Sequence, residues 1–553
     1  MKPEHCLGCP LYEAPGPVPG YGPENAKIFF IGEAPGNDEV RYSKRPFTGP
    51  SGRMLRGIID KLGISPNTVF MSNTVRCRPT AISPSSGKEI DRAPSKEEIA
   101  HCGHFLAGEI ATVNPNLIVT LGNSALYALN DTNDIGKWRG VPFVRSGKKI
   151  LATYHPAGIM RQQHMFPAFY HDLKKVTLQA QSPTLHVLPV DYQPNGDVAA
   201  HRESILAAAR RLGYVCIDIE TAGNFGGLKG ALDPSTGQVI CYGVGSEPQR
   251  ATCFMWTDES RQLLSELLAD PGIEKIGQNS ENYDWVFLEG KGCPYPVGER
   301  FDTLQAFHLC GPDLPKNLAT IATFYTDMPY WKAEARTGDL RVYNCKDVDA
   351  TMRAALGLKQ ELASMNMGKL YARVSKLQPV LRSMTKRGFK KDELLAAKYS
   401  VLLNQRANEK EAVLQSALGH SFNVNSAPQV IDLLYNKLGL PKQYLKTKDG
   451  FRLTANDEAM ETLALTTNNP VFLQVNSIRS LRKGASTYCD IDTDENGFMH
   501  PEFNSARAAN GRLASNHPNS QNVPIEFREL WIPDSDEHVI IKSDWNQVEL
   551  RNA

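Results

Sequence analysis

The stretch Tyr214-Val215-Cys216-Ile217-Asp218-Ile219-Glu220 decides how the centre of this chain is read. A strand alternates its side chains, so Tyr214, Cys216, Asp218 and Glu220 share one face and Val215, Ile217 and Ile219 the other. Two carboxylates then point the same way. Like charges at this spacing raise each other's pKa unless a cation lies between them, so the pattern is costly without a metal. Two later stretches add matching groups. Asn279-Ser280-Glu281-Asn282-Tyr283-Asp284 contributes one more acid, and Tyr343-Asn344-Cys345-Lys346-Asp347 sets a phenol and an acid on one helix face at i,i+4. Hydrolysis of a phosphodiester by two divalent ions about 3.5–4 Å apart uses such a carboxylate cage. Each acid taken alone reads better as a helix cap or a solvated charge. The ordered set reads as a site for Mg²⁺ or Mn²⁺.

Residues 205–360, which also contain Phe301-Asp302-Thr303-Leu304, resemble the proofreading exonucleases of the DEDD superfamily, in the subclass with a tyrosine in the last motif. The resemblance implies an α/β ribonuclease H-like domain that acts on DNA 3′ ends in the 3′-to-5′ direction. It makes Asp218, Glu220, Asp284 and Asp347 the metal ligands, and Tyr343 the group that orients the attacking water.

Working outward, 553 residues are too many for one core and point to three or four domains. Hydrophobic residues at 41% and charged residues at 22% are ordinary globular values, which excludes a disordered or membrane class. A formal net charge of +1 gives no global basic signature, so a nucleic-acid surface has to come from local clusters such as Arg382, Lys386, Arg387, Lys390 and Lys391. The start of the chain lacks the apolar stretch of a signal peptide, and a cytoplasmic protein is expected. Eleven cysteines, an odd count, then read as mostly reduced thiols, with metal binding the first exception.

Pro, Gly and Asn mark connections at 181–199, 311–315 and 423–428. The expected organisation is an α/β domain over 1–180, a linker over 181–200, a second α/β domain over 201–360, a helical region over 361–500 and an α+β segment over 501–553. Strand-like runs return in the last part, at 498–503 and 538–541.

The polar, turn-rich Asn510-Gly511-Arg512-Leu513-Ala514-Ser515 precedes the apolar run 538–541, which leads into Ser543-Asp544-Trp545-Asn546-Gln547-Val548-Glu549-Leu550-Arg551. These segments resemble the palm entry of family A DNA polymerases, whose usual forms read Thr-Gly-Arg-Leu-Ser-Ser and Asp-Tyr-Ser-Gln-Ile-Glu-Leu-Arg. The helices upstream resemble that family's thumb. The resemblance implies that Arg512 contacts the minor groove of primer-template DNA, that Asp544 binds catalytic metals and that Glu549 is the steric gate against ribose. Asn510 and Trp545 depart from the family's threonine and tyrosine. The chain stops at Ala553 without a fingers helix or a second palm acid, so a partial palm is expected, with a second chain to supply the missing fingers and palm.

At the other end, Cys6-Leu7-Gly8-Cys9, Cys77 and Cys102 form a close pair plus two distant thiols, a ligand set for zinc or an iron–sulfur cluster. A strand at 27–31 feeds the turn Gly32-Glu33-Ala34-Pro35-Gly36, and a later strand ends in Thr153-Tyr154-His155-Pro156-Ala157. Two such loops meet at one end of a parallel sheet, where α/β sites form. Residues 1–178 resemble the family 4 uracil-DNA glycosylases, including the version fused to certain phage DNA polymerases. The resemblance implies a 4Fe–4S cluster on the four cysteines. A flipped uracil needs an aromatic to stack on it, an amide to read its edge and a donor for the departing base anion. Phe47, Asn73 and His155 fit those roles, with Glu33 and Glu39 as polar groups in the first loop. Ala157-Gly158 stands where the family has a serine after His-Pro, and 80–92 is a polar insertion, so both a live glycosylase and a DNA-binding relic are open.

The leading expectation is a proofreading DNA replication protein with an appended glycosylase-like domain. The alternatives are a repair enzyme that combines uracil excision with 3′ end trimming, and a DNA-gripping scaffold without catalysis.

Overall fold

Near-continuous runs of Ile, Val, Leu and Phe build the first sheet. In the computed structural model, which describes residues 2–82, 87–223, 237–447, 450–467 and 471–543, its strands lie in the order Val69–Asn73, Ile28–Gly32, Leu117–Leu121, Lys148–Thr153, Pro142–Arg145. The first four run parallel and the last antiparallel. A parallel sheet is covered on both faces, which is why these strands read as unbroken apolar runs. Phe30, Leu117, Val119 and Leu151 face one core with helices Pro50–Lys61 and Phe166–Gln179. Phe29, Ile31, Ile118 and Ile150 face the other with helix Lys96–Val113. That helix begins at a capping box, where Ser95 Oγ accepts from Glu98 N at 3.2 Å and Glu98 Oε2 accepts from Ser95 N at 2.7 Å.

The second sheet has the order Arg300–Asp302, Glu274–Gly277, Tyr214–Gly223, Gly237–Gly245, Arg250–Met255, Asp191–Gln193. Tyr214–Gly223, Gly237–Gly245 and Arg250–Met255 are antiparallel, while Glu274–Gly277 and Arg300–Asp302 continue in parallel beside Tyr214–Gly223. Alternation along the Tyr214 strand holds. Val215, Ile217 and Ile219 enter one core with Leu263, Leu267 and Trp285, and Cys216 enters the other beneath helix Leu340–Ser364, with Cys345, Val348 and Met352. Gly243 lets that helix close on the sheet, because a Cβ there would collide with Asn344 Oδ1.

The connection expected over 181–200 is shorter than its composition indicates. Asp191–Gln193 pairs with Arg250–Met255, the Tyr192 hydroxyl donates to Asp349 Oδ2 at 2.6 Å, and Val198–Leu212 is already a helix of the second core. A three-residue edge strand between Pro and Gly is too short to show a period.

The described residues form two compact units, the first from 2–82, 88–223, 237–378 and 505–512, the second from 87, 379–447, 450–467, 471–504 and 513–543. Both sheets above belong to the first. The second is helical, as expected: Glu393–Leu418, Asp457–Thr467 and Val471–Gly484 surround Phe422, Leu434, Phe472, Val475 and Ile478. A small sheet joins Phe498–Met499, Phe389–Lys391 and Trp531–Ile532. The strand expected at 538–541 does not form, and Val539 and Ile541 are 77% and 84% exposed. An apolar run becomes a strand only against a partner, and none pairs with it among the described residues. No helix among the described residues is long and apolar enough to cross a membrane.

Candidate functional sites

The central strand and helix Leu340–Ser364 bring three acids together. Ligand oxygens of Asp218, Glu220 and Asp347 all lie within 4.8 Å of one another, the tightest grouping of its kind among the described residues. Neighbours hold two of these carboxylates in place. Asn344 Nδ2 donates to Asp218 Oδ2 at 2.8 Å, and Trp331 Nε1 donates to Asp347 Oδ1. Lys332 Nζ donates to both Asp347 oxygens, at 2.8 and 2.6 Å, and to the Tyr343 hydroxyl at 2.9 Å. The fourth expected ligand, Asp284, heads helix Asp284–Gly290, and its Oδ1 accepts from Ile219 N at 3.1 Å, so it abuts the strand between Asp218 and Glu220. Asp302 has another task. Its carboxylate accepts from Leu304 N at 2.9 Å and Asn279 N at 3.1 Å, which shapes the loop leading to Asp284.

This much buried negative charge is unfavourable as it stands. Burial, reinforced by Asp347, Asp284 and Glu220, holds Asp218 well above the usual carboxylate range. Burial and Asp347 push Glu220 up to about 8, and burial pushes Asp284 up to about 7. Burial works against the Lys332 ammonium, yet Asp347 and Tyr343 keep it above the ordinary lysine value. Tyr343 is raised by burial and by Asp347, so its phenol stays protonated. One ammonium does not neutralise four acids. Hard divalent cations with oxygen ligands, Mg²⁺ or Mn²⁺, fit this donor set. Lys332 carried no signal in the sequence, because it lies outside any spacing that the acids define.

In the N-terminal domain the strand ending at Gly32 passes beneath Asn73 and Phe47, and a Cβ at Gly32 would collide with Asn73 Oδ1 and sit 2.5 Å from Phe47 Cζ. Phe47 adopts φ 59°, a left-handed conformation costly for an aromatic residue. Arg56 Nε donates to its carbonyl at 3.1 Å and helps hold it there. Asn73 is buried and its Nδ2 has no hydrogen-bond partner among the described residues, a donor left for something else. His155 caps helix Pro156–Arg161, and its Nδ1 accepts from Ala157 N at 3.2 Å, which leaves the proton to Nε2. Burial pushes His155 below its ordinary pKa against the pull of Glu33, with Arg161 adding to the push, so the ring is neutral. Glu33 accepts from Ser124 Oγ at 2.7 Å. Glu39, expected as a polar group of the first loop, bonds to the backbone of that loop. Its two oxygens accept from Gly36 N at 2.9 Å and Thr48 N at 3.0 Å, so it braces the loop that carries Phe47.

Cys6, Cys9, Cys77 and Cys102 line one cavity, with Lys2, Arg76 and Phe105. Burial pushes Cys102 up to about 11 and raises Cys77, so ligation here has to displace protons. The four thiols gathered at this cavity are a donor set for zinc or for an iron–sulfur cluster.

Arg512 is exposed, with its backbone N donating to Asn510 Oδ1 at 3.1 Å. Asp544 and Glu549 lie outside the described residues.

Comparison with known proteins divides along the same lines. The family described as Uracil DNA glycosylase superfamily matches residues 19–175, and DNA polymerase family A matches residues 393–553. A type-4 uracil-DNA glycosylase of Thermotoga maritima is 35% identical over 178 residues, covering 32% of this chain and 84% of that protein. A DNA polymerase I of Rhizobium leguminosarum is 29% identical over 321 residues, covering 52% of this chain, which spans only 30% of that protein's length. The POL domain of Pol1 from M. smegmatis, solved in complex with DNA primer-template and dNTP, aligns with 62% of this chain and 58% of that one at 20% identity and a TM-score of 0.47. Through its N-terminal domain the chain belongs to the type-4 uracil-DNA glycosylases, and that domain is fused to a region of DNA polymerase family A.

Proposed function

We propose that the chain is a DNA replication and repair enzyme whose second domain is a ribonuclease H-like, metal-dependent 3′-to-5′ exonuclease. The observation that carries this reading is the meeting of Asp218, Glu220 and Asp347 oxygens within 4.8 Å, beside a phenol held by a lysine. Asp218, Glu220 and Asp347, with Asp284 behind them, would hold divalent ions, which would supply charge neutralisation for a phosphodiester and lower the pKa of water. The chain's own groups do the rest. Asn344 and Trp331 aim two carboxylates, and Lys332 donates to the Tyr343 oxygen, which would leave the phenol proton to orient the attacking water. Incubating a 5′-labelled single strand with Mg²⁺ should produce a ladder of products shortened from the 3′ end, abolished by chelation. An intact strand would refute the reading.

A second activity, uracil excision, is supported by the unpaired Asn73 Nδ2 beside the strained Phe47. Phe47 would stack on the base, Asn73 would donate to its edge and the His155 Nε2–H would donate to the departing anion. Cys6, Cys9, Cys77 and Cys102 would hold a 4Fe–4S cluster. Arg512 would lie against primer-template DNA in the polymerase-family region. Cleavage at uracil after alkali treatment tests the glycosylase, and an alkali-stable strand would leave a DNA-binding relic.

A further inference from the structure

The first two domains share a buried polar hub. Arg139 and Asp172, both in the N-terminal domain, are 1% and 0% exposed and form a two-point ion pair. Thr153, the last residue of its strand, donates to the same carboxylate at 2.7 Å. Arg139 Nη1 crosses to the second domain, donating to Thr323 Oγ1 at 3.0 Å on helix Leu318–Tyr325, and the Thr323 hydroxyl in turn donates to Thr320 O at 2.7 Å. The guanidinium also lies 5.3 Å from the Phe324 ring and 5.6 Å from the Tyr154 ring. Lys175 Nζ ties Gly140 O to Thr323 O, each at 2.8 Å. Gly140 has φ +74°, and a Cβ there would sit 2.5 Å from Asp172 Oδ1 and 3.2 Å from Thr323 Cβ, so the two domains meet where a side chain has no room.

A buried ion pair is tolerable only when its remaining donors are satisfied. Here one of them is satisfied from the neighbouring domain. The strand end it holds leads through Tyr154, which packs in the cores of both domains, to His155. We infer that helix Leu318–Tyr325 clamps the segment 153–155, making Thr323 and Arg139 positioning residues for the uracil pocket of the other domain. The inference rests on the reading of His155 as a pocket residue.

The test uses the full chain with Thr323→Val, which keeps shape but removes the acceptor, and Thr323→Ser, which restores it. Hydrogen exchange at 148–158 should quicken about tenfold in the valine variant and return in the serine variant, while Ile28–Gly32 stays unchanged. Excision should fall in kcat, about tenfold, with KM unmoved. Unchanged exchange at 148–158, or an equal rise at Ile28–Gly32, would overturn the clamp. If the wild type leaves uracil in place, the pocket reading fails, while the exchange result still decides the clamp.

Discussion

Replacing Glu220 by glutamine removes one charge from the acid cluster while keeping its shape, and the metal-free protein should become less sensitive to alkali. Burial and Asp347 push Glu220 up to about 8 from an ordinary 4.5. The folded chain therefore keeps a proton that the unfolded chain has already lost. A raised folded pKa contributes stability that is full below about 4.5 and is lost as pH climbs through about 8. A change of this size corresponds to about 5 kcal/mol. Asp284, pushed up to about 7, acts in the same direction, but the acids titrate together, so one such amount represents the cluster. About 4 kcal/mol of this falls between about pH 5 and about pH 8.5, so at ~2–4 °C per kcal/mol the metal-free melting temperature of this unit should fall by about 8–16 °C over that window. Saturating Mn²⁺ should restore most of it at the upper pH, and E220Q should flatten the slope. Scanning calorimetry with chelator and with Mn²⁺ measures both. Equal melting temperatures with and without Mn²⁺ at alkaline pH, or an unchanged slope in E220Q, would refute the electrostatic reasoning.

Asn73→Ala should cut uracil excision by roughly 100-fold or more, because the edge-reading donor is gone. Stability should barely change, since the amide Nδ2 is unpaired among the described residues, and single-turnover kinetics beside a melting curve separates the two effects. Cys102→Ser should yield protein depleted of iron and acid-labile sulfide, measured by elemental and sulfide analysis; full cluster content would exclude Cys102 as a ligand. Arg139→Met should cost about 3–5 kcal/mol by leaving Asp172 buried without its partner, seen as a lowered calorimetric transition.

The residues that betrayed the centre of the molecule did so through period. Strand alternation sent Val215, Ile217 and Ile219 to one core and Cys216 to the other, and helical spacing set Tyr343 and Asp347 on one face. Groups recruited by tertiary approach left no such mark. Lys332 reaches Asp347 only because its segment folds against helix Leu340–Ser364, and Asn344 reaches Asp218 only because Gly243 leaves room. Glu39 shows the same limit from the other side, since a polar residue in a site loop reads alike whether it faces the pocket or braces the backbone. The apolar run 538–541 has strand composition without a strand neighbour among the described residues, because pairing is a property of two segments.

The acids Asp218, Glu220 and Asp347, brought from separate stretches, are proposed to share divalent metal. Diffraction at the manganese edge from crystals soaked in Mn²⁺ tests this directly. Anomalous density among the Asp218, Glu220 and Asp347 carboxylates, with the Lys332 ammonium displaced from Asp347, is the result predicted. A lysine still bonded to Asp347 and no anomalous density at saturating Mn²⁺ would contradict it.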